Sequence, residues 1–188
     1  MRTKKGEKEK KTLEIIIKTA GLLKKNGISN SGVDEIMGSM GLTSGALYSH
    51  FKSKEELFSK AILYELEFLK NFLNKKIEES PVSFVEWYLS IDHCEDISGG
   101  SILEALSSEF GRMPMKTRKL IEHHYIDLID GIANRMPEGK KTRMHAQCLF
   151  SALVGALSLS RIVLNPKSRD EILNSGKQTA LKLISSNK

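Results

Sequence analysis

The chain has 188 residues, 40% hydrophobic and 28% charged, with a formal net charge of +6. That is enough to bury a core as one compact body or two small ones, and the modest basic surplus suits a polyanionic partner. The mix excludes a disordered or collagen-like chain. No apolar h-region follows the basic start. The most apolar stretch, Cys148 to Leu164, is interrupted by Ser151, Ser158, Ser160 and Arg161, too short and too polar to span a membrane. Cys94 and Cys148 lack metal or redox spacing, so two buried, reduced thiols in a cytoplasmic protein are expected.

Residues 1–11, MRTKKGEKEKK, carry six basic and two acidic side chains. They read as a basic disordered tail that adds non-specific phosphate attraction. A first helix follows, with Ile15, Ile16, Leu22 and Leu23 before Gly27. Ser31 with Asp34 reads as a capping box that starts a second helix. Val33, Ile36, Met37 and Met40 recur at i, i+3, i+4, i+7, and Gly41 supplies a left-handed stop. Thr43 is expected to cap a third helix, Thr43 to His50, with Ala46, Leu47 and Phe51 on its inner side. Ser44, Gly45, Tyr48 and Ser49 fall on the opposite side, a face with no large aliphatic group. Such a face is what a helix entering the major groove of DNA requires. Ser53 with Glu56 starts the next helix.

At these residues the chain resembles the TetR (tetracycline-repressor-like) family of bacterial transcription regulators. The resemblance rests on Val33-Asp-Glu-Ile36, Gly41-Leu-Thr43, Gly45-Ala-Leu-Tyr48, His50-Phe51 and Ser53-Lys-Glu-Glu-Leu57. It covers roughly residues 12 to 60. It implies an all-α fold of about nine helices. The parts would be a helix-turn-helix DNA-binding domain over 12–56 (motif about 32–51) and a helical regulatory and dimerisation domain over 57–188. By the same resemblance, DNA contacts fall to Ser31, Thr43, Ser44, Gly45, Tyr48, Ser49, His50 and Lys54. Tyr48 takes the family's phosphate position. His50 has two readings, a phosphate contact or a helix-end histidine bonded locally. Ser44 stands where many members carry Lys or Arg, and Gly32 where many carry Thr or Ser, so both positions have lost contact capacity.

Beyond Leu57 only helices are expected. A long one runs from Lys54 to about Glu79 and ends before Pro81. A helix with Phe84, Trp87, Tyr88 and Ile91 follows, then a Gly99-Gly100 turn and a helix capped by Ser101 and Glu104. Another starts after Pro114, and Pro137-Glu-Gly139 turns the chain. A helix from about Thr142 to Leu164 is apolar on nearly every side from Phe150 to Val163, which calls for burial on two faces. The last is capped by Ser168 and Glu171. Ala152, Gly155, Ala156, Leu159, Leu173, Gly176 and Ala180 are the candidates for a homodimer face, the second copy completing a four-helix bundle as the resemblance implies.

A small-molecule effector is expected in the second domain. Its candidate lining is Tyr64, Phe68, Trp87, Tyr88, His93, Phe110, Met113, His124, Tyr125 and Phe150, with Trp87 foremost and most of the rest serving packing. Ser101 stands where one TetR subgroup often has Cys, so a cysteine sensor there is not expected. His123 and His124 point about 100° apart on a helix and make poor ligands for one metal. No cofactor, metal site or catalytic group is expected. The resulting expectation is a cytoplasmic, homodimeric repressor bound to double-stranded DNA and released from a palindrome by a small molecule. It would be nucleoid-associated when bound to DNA, with no membrane partner. An activator, or an architectural or partner-recruiting DNA-binding protein without a sensor, remains open.

Overall fold

The computed structural model describes residues 2–138 and 142–185, and every regular element among them is helical. The head comprises α1 (Arg2–Asn26), α2 (Val33–Gly38) and a single 3₁₀ segment, Ser44–Ser49. The long α3 (Lys54–Glu79) leaves the head and becomes the spine of the body. Around it lie α4 (Pro81–Tyr88), α5 (Ile91–Glu95), α6 (Ile102–Phe110), α7 (Met115–Arg135), α8 (Arg143–Ile162) and α9 (Pro166–Ile184).

Local signals account for most boundaries. Ser53 Oγ accepts the Glu56 N–H, and Glu56 returns a carboxylate to the Lys52 N–H, closing the start of α3. Ser80 ends α3 and its hydroxyl caps α4, with Pro81 in the first turn, where a missing N–H costs nothing. Ser101 caps α6 and Thr142 caps α8, as their positions suggest.

Other boundaries differ from the sequence reading. Residues 2–11 are not a disordered tail but the start of α1, because Lys and Glu are good helix formers and no proline precedes Gly27. The stretch around Trp87 is two helices, since Ser90 Oγ captures the His93 N–H and starts α5. Asn165, rather than Ser168, caps α9, accepting from Lys167 and Ser168. In the turn at 137–139, Gly139 lies outside the described residues. Cys94 is buried as expected, whereas Cys148 is exposed on α8.

Two cores run together along α3. Ile15, Leu23, Ile36, Met37, Leu47, Phe51 and Leu57 fill the head. Leu66, Leu73, Phe84, Tyr88, Leu106, Leu149 and Leu157 are among those that fill the body. Three polar contacts, buried or partly buried, join elements that hydrophobic burial alone would let slide. Lys24 on α1 pairs with Glu65 on α3 at 2.7 Å and donates to the Gly100 carbonyl at 3.1 Å. Arg161 on α8 pairs with Glu104 on α6 and donates to the carbonyls of His93 and Cys94 at 2.8 and 3.0 Å. Glu109, at the end of α6, accepts the N–H groups of Ile28 and Ser29 and the Ser29 hydroxyl, clasping the head loop to the body.

The Glu109 clasp explains Gly27. Its φ of +82° is costly for a residue with a side chain, and an added Cβ would lie 2.8 Å from Glu109 Oε1. Gly27→Val is expected to destabilise the protein by about 1–3 kcal/mol in urea unfolding, and an unchanged midpoint would contradict the clasp.

His93 is the second constrained point. Its Nε2 accepts the Ser101 backbone N–H at 3.0 Å, so Nδ1 must carry the proton that it donates to the Tyr88 carbonyl at 2.7 Å. The ring stacks on Trp87 at 4.7 Å. Burial is the main cause that lowers its pKa, aided by the nearby Arg161 and Lys24 charges and opposed by the Tyr88 bond and Asp96. Protonating Nε2 would set two N–H groups against each other. The unfolded chain therefore binds a proton that the folded ring refuses, so stability is full above the ordinary imidazole value. It falls as pH drops below that value toward the lowered one. Urea midpoints measured from pH 7.5 to 5 should show this loss, and His93→Gln should flatten it.

Candidate nucleic-acid interface

The turn between α2 and the 3₁₀ segment is built on Gly41, whose φ is +67°. The Ala46 N–H then reaches back to the Thr43 carbonyl at 2.9 Å, and the His50 N–H to that of Leu47. These i→i+3 bonds make the expected recognition helix a short 3₁₀ helix instead of an α-helix. Six residues that include a glycine give little α-helical propensity to oppose it. Thr43 takes the capping position, but its side chain makes no cap bond. Leu47 is buried against Ile36 and Met37 in the head core, which fixes the rotation of the segment.

That rotation leaves Thr43, Gly45, Tyr48 and Ser49 exposed together. Tyr48 is 71% exposed, an unusual cost for a large aromatic residue unless a partner covers it. Gly45 has open space, as an added Cβ would meet only Thr43 Oγ1 at 3.9 Å. The Ser49 hydroxyl turns inward to the Ala46 carbonyl at 2.7 Å. Ser44 donates its hydroxyl to Asp34 on α2, so this side chain ties the two halves of the motif together.

Two expected contacts are repositioned. Ser31 is 1% exposed and donates to the Gly27 carbonyl at 2.7 Å, while Gly32 takes the capping position of α2. Its hydroxyl is spent inside the head and is not presented to a phosphate. His50 Nδ1 meets Thr12 Oγ1 at 2.8 Å, and the single proton of that hydroxyl already goes to the Lys8 carbonyl. His50 is therefore the donor to Thr12, and Nε2 of the neutral ring has no proton for a phosphate. Burial first, then Lys8 and Lys11, lowers the His50 pKa and favours that neutral form. The same contact sets the basic start of α1 beside the recognition segment. Lys54, at the start of α3, lays its ammonium 4.9 Å from the centre of the Phe58 ring.

The candidate effector residues do not share one cavity. Phe68 and Trp87 line a small cavity of ≈ 230 Å³ with Glu65, Phe72 and Gly100. Phe110 and Tyr125 border a different depression with Arg118. Met113 belongs to a cleft between head and body. Tyr88 and Phe150 pack edge to face at 5.8 Å in the core, and Tyr64 is half-buried on α3. His124 sits 3.4 Å from Glu67, and His93 is locked as described. A stripe of aromatic residues at helical spacing marks a core as readily as a pocket, which is why the set scatters.

The dimer candidates also divide. Leu173, Gly176 and Ala180 are buried within this chain, and a Cβ on Gly176 would meet Ala156 at 2.4 Å. Gly155 is half-buried, with nothing within 4 Å of where its Cβ would stand. Ala152, Ala156 and Leu159 border an open groove between α8 and α9, with Gly176 at its base. Nearby, Leu159 is 56% and Ile162 72% exposed. Among the described residues no group of side chains has a metal-binding arrangement, and no helix is long and apolar enough to cross a membrane.

The geometry defines a class: a helix-turn-helix head, with its polar face outward, joined by one continuous helix to an all-helical body. Residues 15–61 match the family described as bacterial regulatory proteins, tetR family. No curated protein matches the sequence. Among solved structures, a TetR-family transcriptional regulator from Cytophaga hutchinsonii has a TM-score of 0.76 at 18% identity, over 97% of this chain and 98% of that one. The reduced form of NemR from E. coli gives 0.75 at 18% identity, over 94% and 98%. FadR from Bacillus subtilis, in complex with stearoyl-CoA, gives 0.63 at 17% identity, over 94% and 99%. The head thus matches the sequence pattern of that family's helix-turn-helix, and the whole chain has the fold of the solved TetR-family regulators.

Proposed function

We propose that the protein is a homodimeric repressor that leaves a palindromic operator when its body binds a small molecule. The observation that carries this reading is the exposed face of Thr43, Gly45 and Tyr48, rigidly backed by Leu47 and set beside the basic start of α1. Thr43 and Gly45 let the backbone approach base edges, and Tyr48 and Lys54 reach phosphates. Affinity then leans on charge and on two heads acting together. Lys54→Ala should lower the slope of log affinity against log salt by about 1, and Tyr48→Phe should weaken binding.

A second copy covers Leu159 and Ile162 and completes a four-helix bundle from two α8–α9 pairs. Two heads about 34–36 Å apart, or a multiple of that, read half-sites on one side of the duplex. An effector at the Phe68–Trp87 cavity touches Glu65, the partner of Lys24, and so bears on the contact that joins α1 to the body. Binding that favours another head spacing shifts the population away from the DNA-bound form. FadR, with its stearoyl-CoA, shows the fold holding an organic ligand in one solved structure.

The test combines sedimentation with a gel shift on the DNA upstream of the protein's own gene. A particle of twice 21.1 kDa, and a specific shift dissolved by one of a panel of metabolites, support the reading. A monomer, or a complex indifferent to the whole panel, speaks for a DNA-binding protein without a sensor.

A further inference from the structure

Head and body meet along a cleft of ≈ 330 Å³ that lies apart from the Trp87 cavity. Ile28 and Lys54 contribute from the head, and Arg112, Met113 and Thr117 from the body. Phe58, on the helix that joins them, supplies an aromatic wall. The size lies at the small end of the range for organic ligands, roughly 300–1,000 Å³.

The charged groups of this cleft are unequally satisfied. The Glu109 carboxylate already has partners. Glu109 accepts from Ile28 and Ser29 through the clasp. Glu55, at the start of α3, is exposed, and its carboxyl lies below the usual range through its own backbone N–H, Ser53 and the neighbouring Lys54 charge. The two cations are not matched. Neither Lys54 nor Arg112 has an ion-pair partner among the described residues. The Lys54 ammonium lies against the Phe58 ring. Thr117, buried, and Ser59 satisfy each other at 3.2 Å, so that part of the wall asks for no partner.

A flat apolar body with one negative end meets all of these features. The ring would pack on Phe58 and Met113, and the anion would lie between the two cations, the guanidinium donating to both oxygens of a carboxylate. We infer that the cleft is a second effector site, separate from the Phe68–Trp87 cavity, for a small aromatic carboxylate held between Lys54 and Arg112 at the junction of head and body. The consequence for DNA rests on the reading of Lys54 as an operator contact. An ammonium engaged in the cleft is withdrawn from the phosphate backbone, so ligand and DNA compete for one side chain. By linkage, each weakens the other by the same factor.

The probes are 2-naphthoate and its neutral isostere 2-naphthamide, titrated calorimetrically into the full chain. Naphthoate should bind once per chain and about tenfold tighter than naphthamide. Lys54→Gln and Arg112→Gln should each remove most of that preference and leave naphthamide unchanged. Trp87→Phe should alter neither. Equal affinity for the two probes overturns the site, as does a preference that survives both charge variants or one that depends on Trp87. A second arm adds naphthoate to the protein bound to its upstream duplex. Duplex affinity should fall for the wild-type chain and stay constant for Lys54→Gln, which starts from weaker binding. A wild-type complex indifferent to saturating naphthoate contradicts the competition and leaves the site standing. No duplex binding by any variant contradicts the regulator reading instead.

Discussion

Gly45→Glu is expected to weaken duplex binding by at least about 100-fold while leaving thermal stability within about 0.5 kcal/mol of wild type. The two halves of that expectation have separate causes. The fold does not need glycine at this position, because the φ is not positive and the nearest foreign atom to an added Cβ is Thr43 Oγ1 at 3.9 Å. On the proposed reading the interface does need it. Gly45 is exposed in the first turn of the 3₁₀ segment, where that reading brings the backbone close to the duplex. A carboxylate there fills the approach and meets phosphate charge. Gly45→Ala should fall between the two. Anisotropy with a labelled duplex, beside a urea melt, measures both. An equal loss of affinity and stability would mean that Gly45 serves the fold.

Arg161→Leu should cost about 3–5 kcal/mol, a fall in melting temperature of roughly 6–20 °C for a chain of this size. The guanidinium has 12% of its side chain exposed and serves three acceptors on two other elements: the Glu104 carboxylate and the carbonyls of His93 and Cys94. Its removal leaves Glu104, only 7% exposed, with the Ser158 hydroxyl alone. An unpaired buried carboxylate is the dominant penalty. Leucine refills part of the volume but none of the hydrogen bonds. The double variant Glu104→Leu/Arg161→Leu should recover part of the loss, since no charge is then stranded. Full recovery is not expected, because two backbone carbonyls still lose their donor. A single variant within 1 kcal/mol of wild type would show that α6 and α8 are held by apolar packing alone.

The contrast between those sites reflects what a sequence can display. The limits of α3, with Ser53 and Glu56 at one end and Pro81 beyond the other, depend on bonds between near neighbours and were legible. So was the burial of Ile36, Met37, Leu47 and Phe51, because helical periodicity sets it. Ser31 was misplaced because one serine can cap a following helix or bond to the preceding turn, and both options are local. The 3₁₀ form of the recognition segment depends on how Leu47 and Ser44 dock on α2, which residue spacing does not encode. Glu109 reaches Ile28 across 81 residues, and Lys24 reaches Gly100 across 76. No local pattern marks either pair. The effector residues failed to converge for a related reason: aromatic spacing reports which face of a helix is inside, not which of several interiors it joins.

The most direct test of the central claim is the affinity of the full chain for its upstream duplex against a scrambled duplex of the same composition, at physiological salt. A reader of base edges through Thr43 and Gly45 should prefer the first by about 10³-fold or more. Equal affinity for the two would contradict sequence-specific recognition, leaving the basic start of α1 and the phosphate contacts to account for all of the binding.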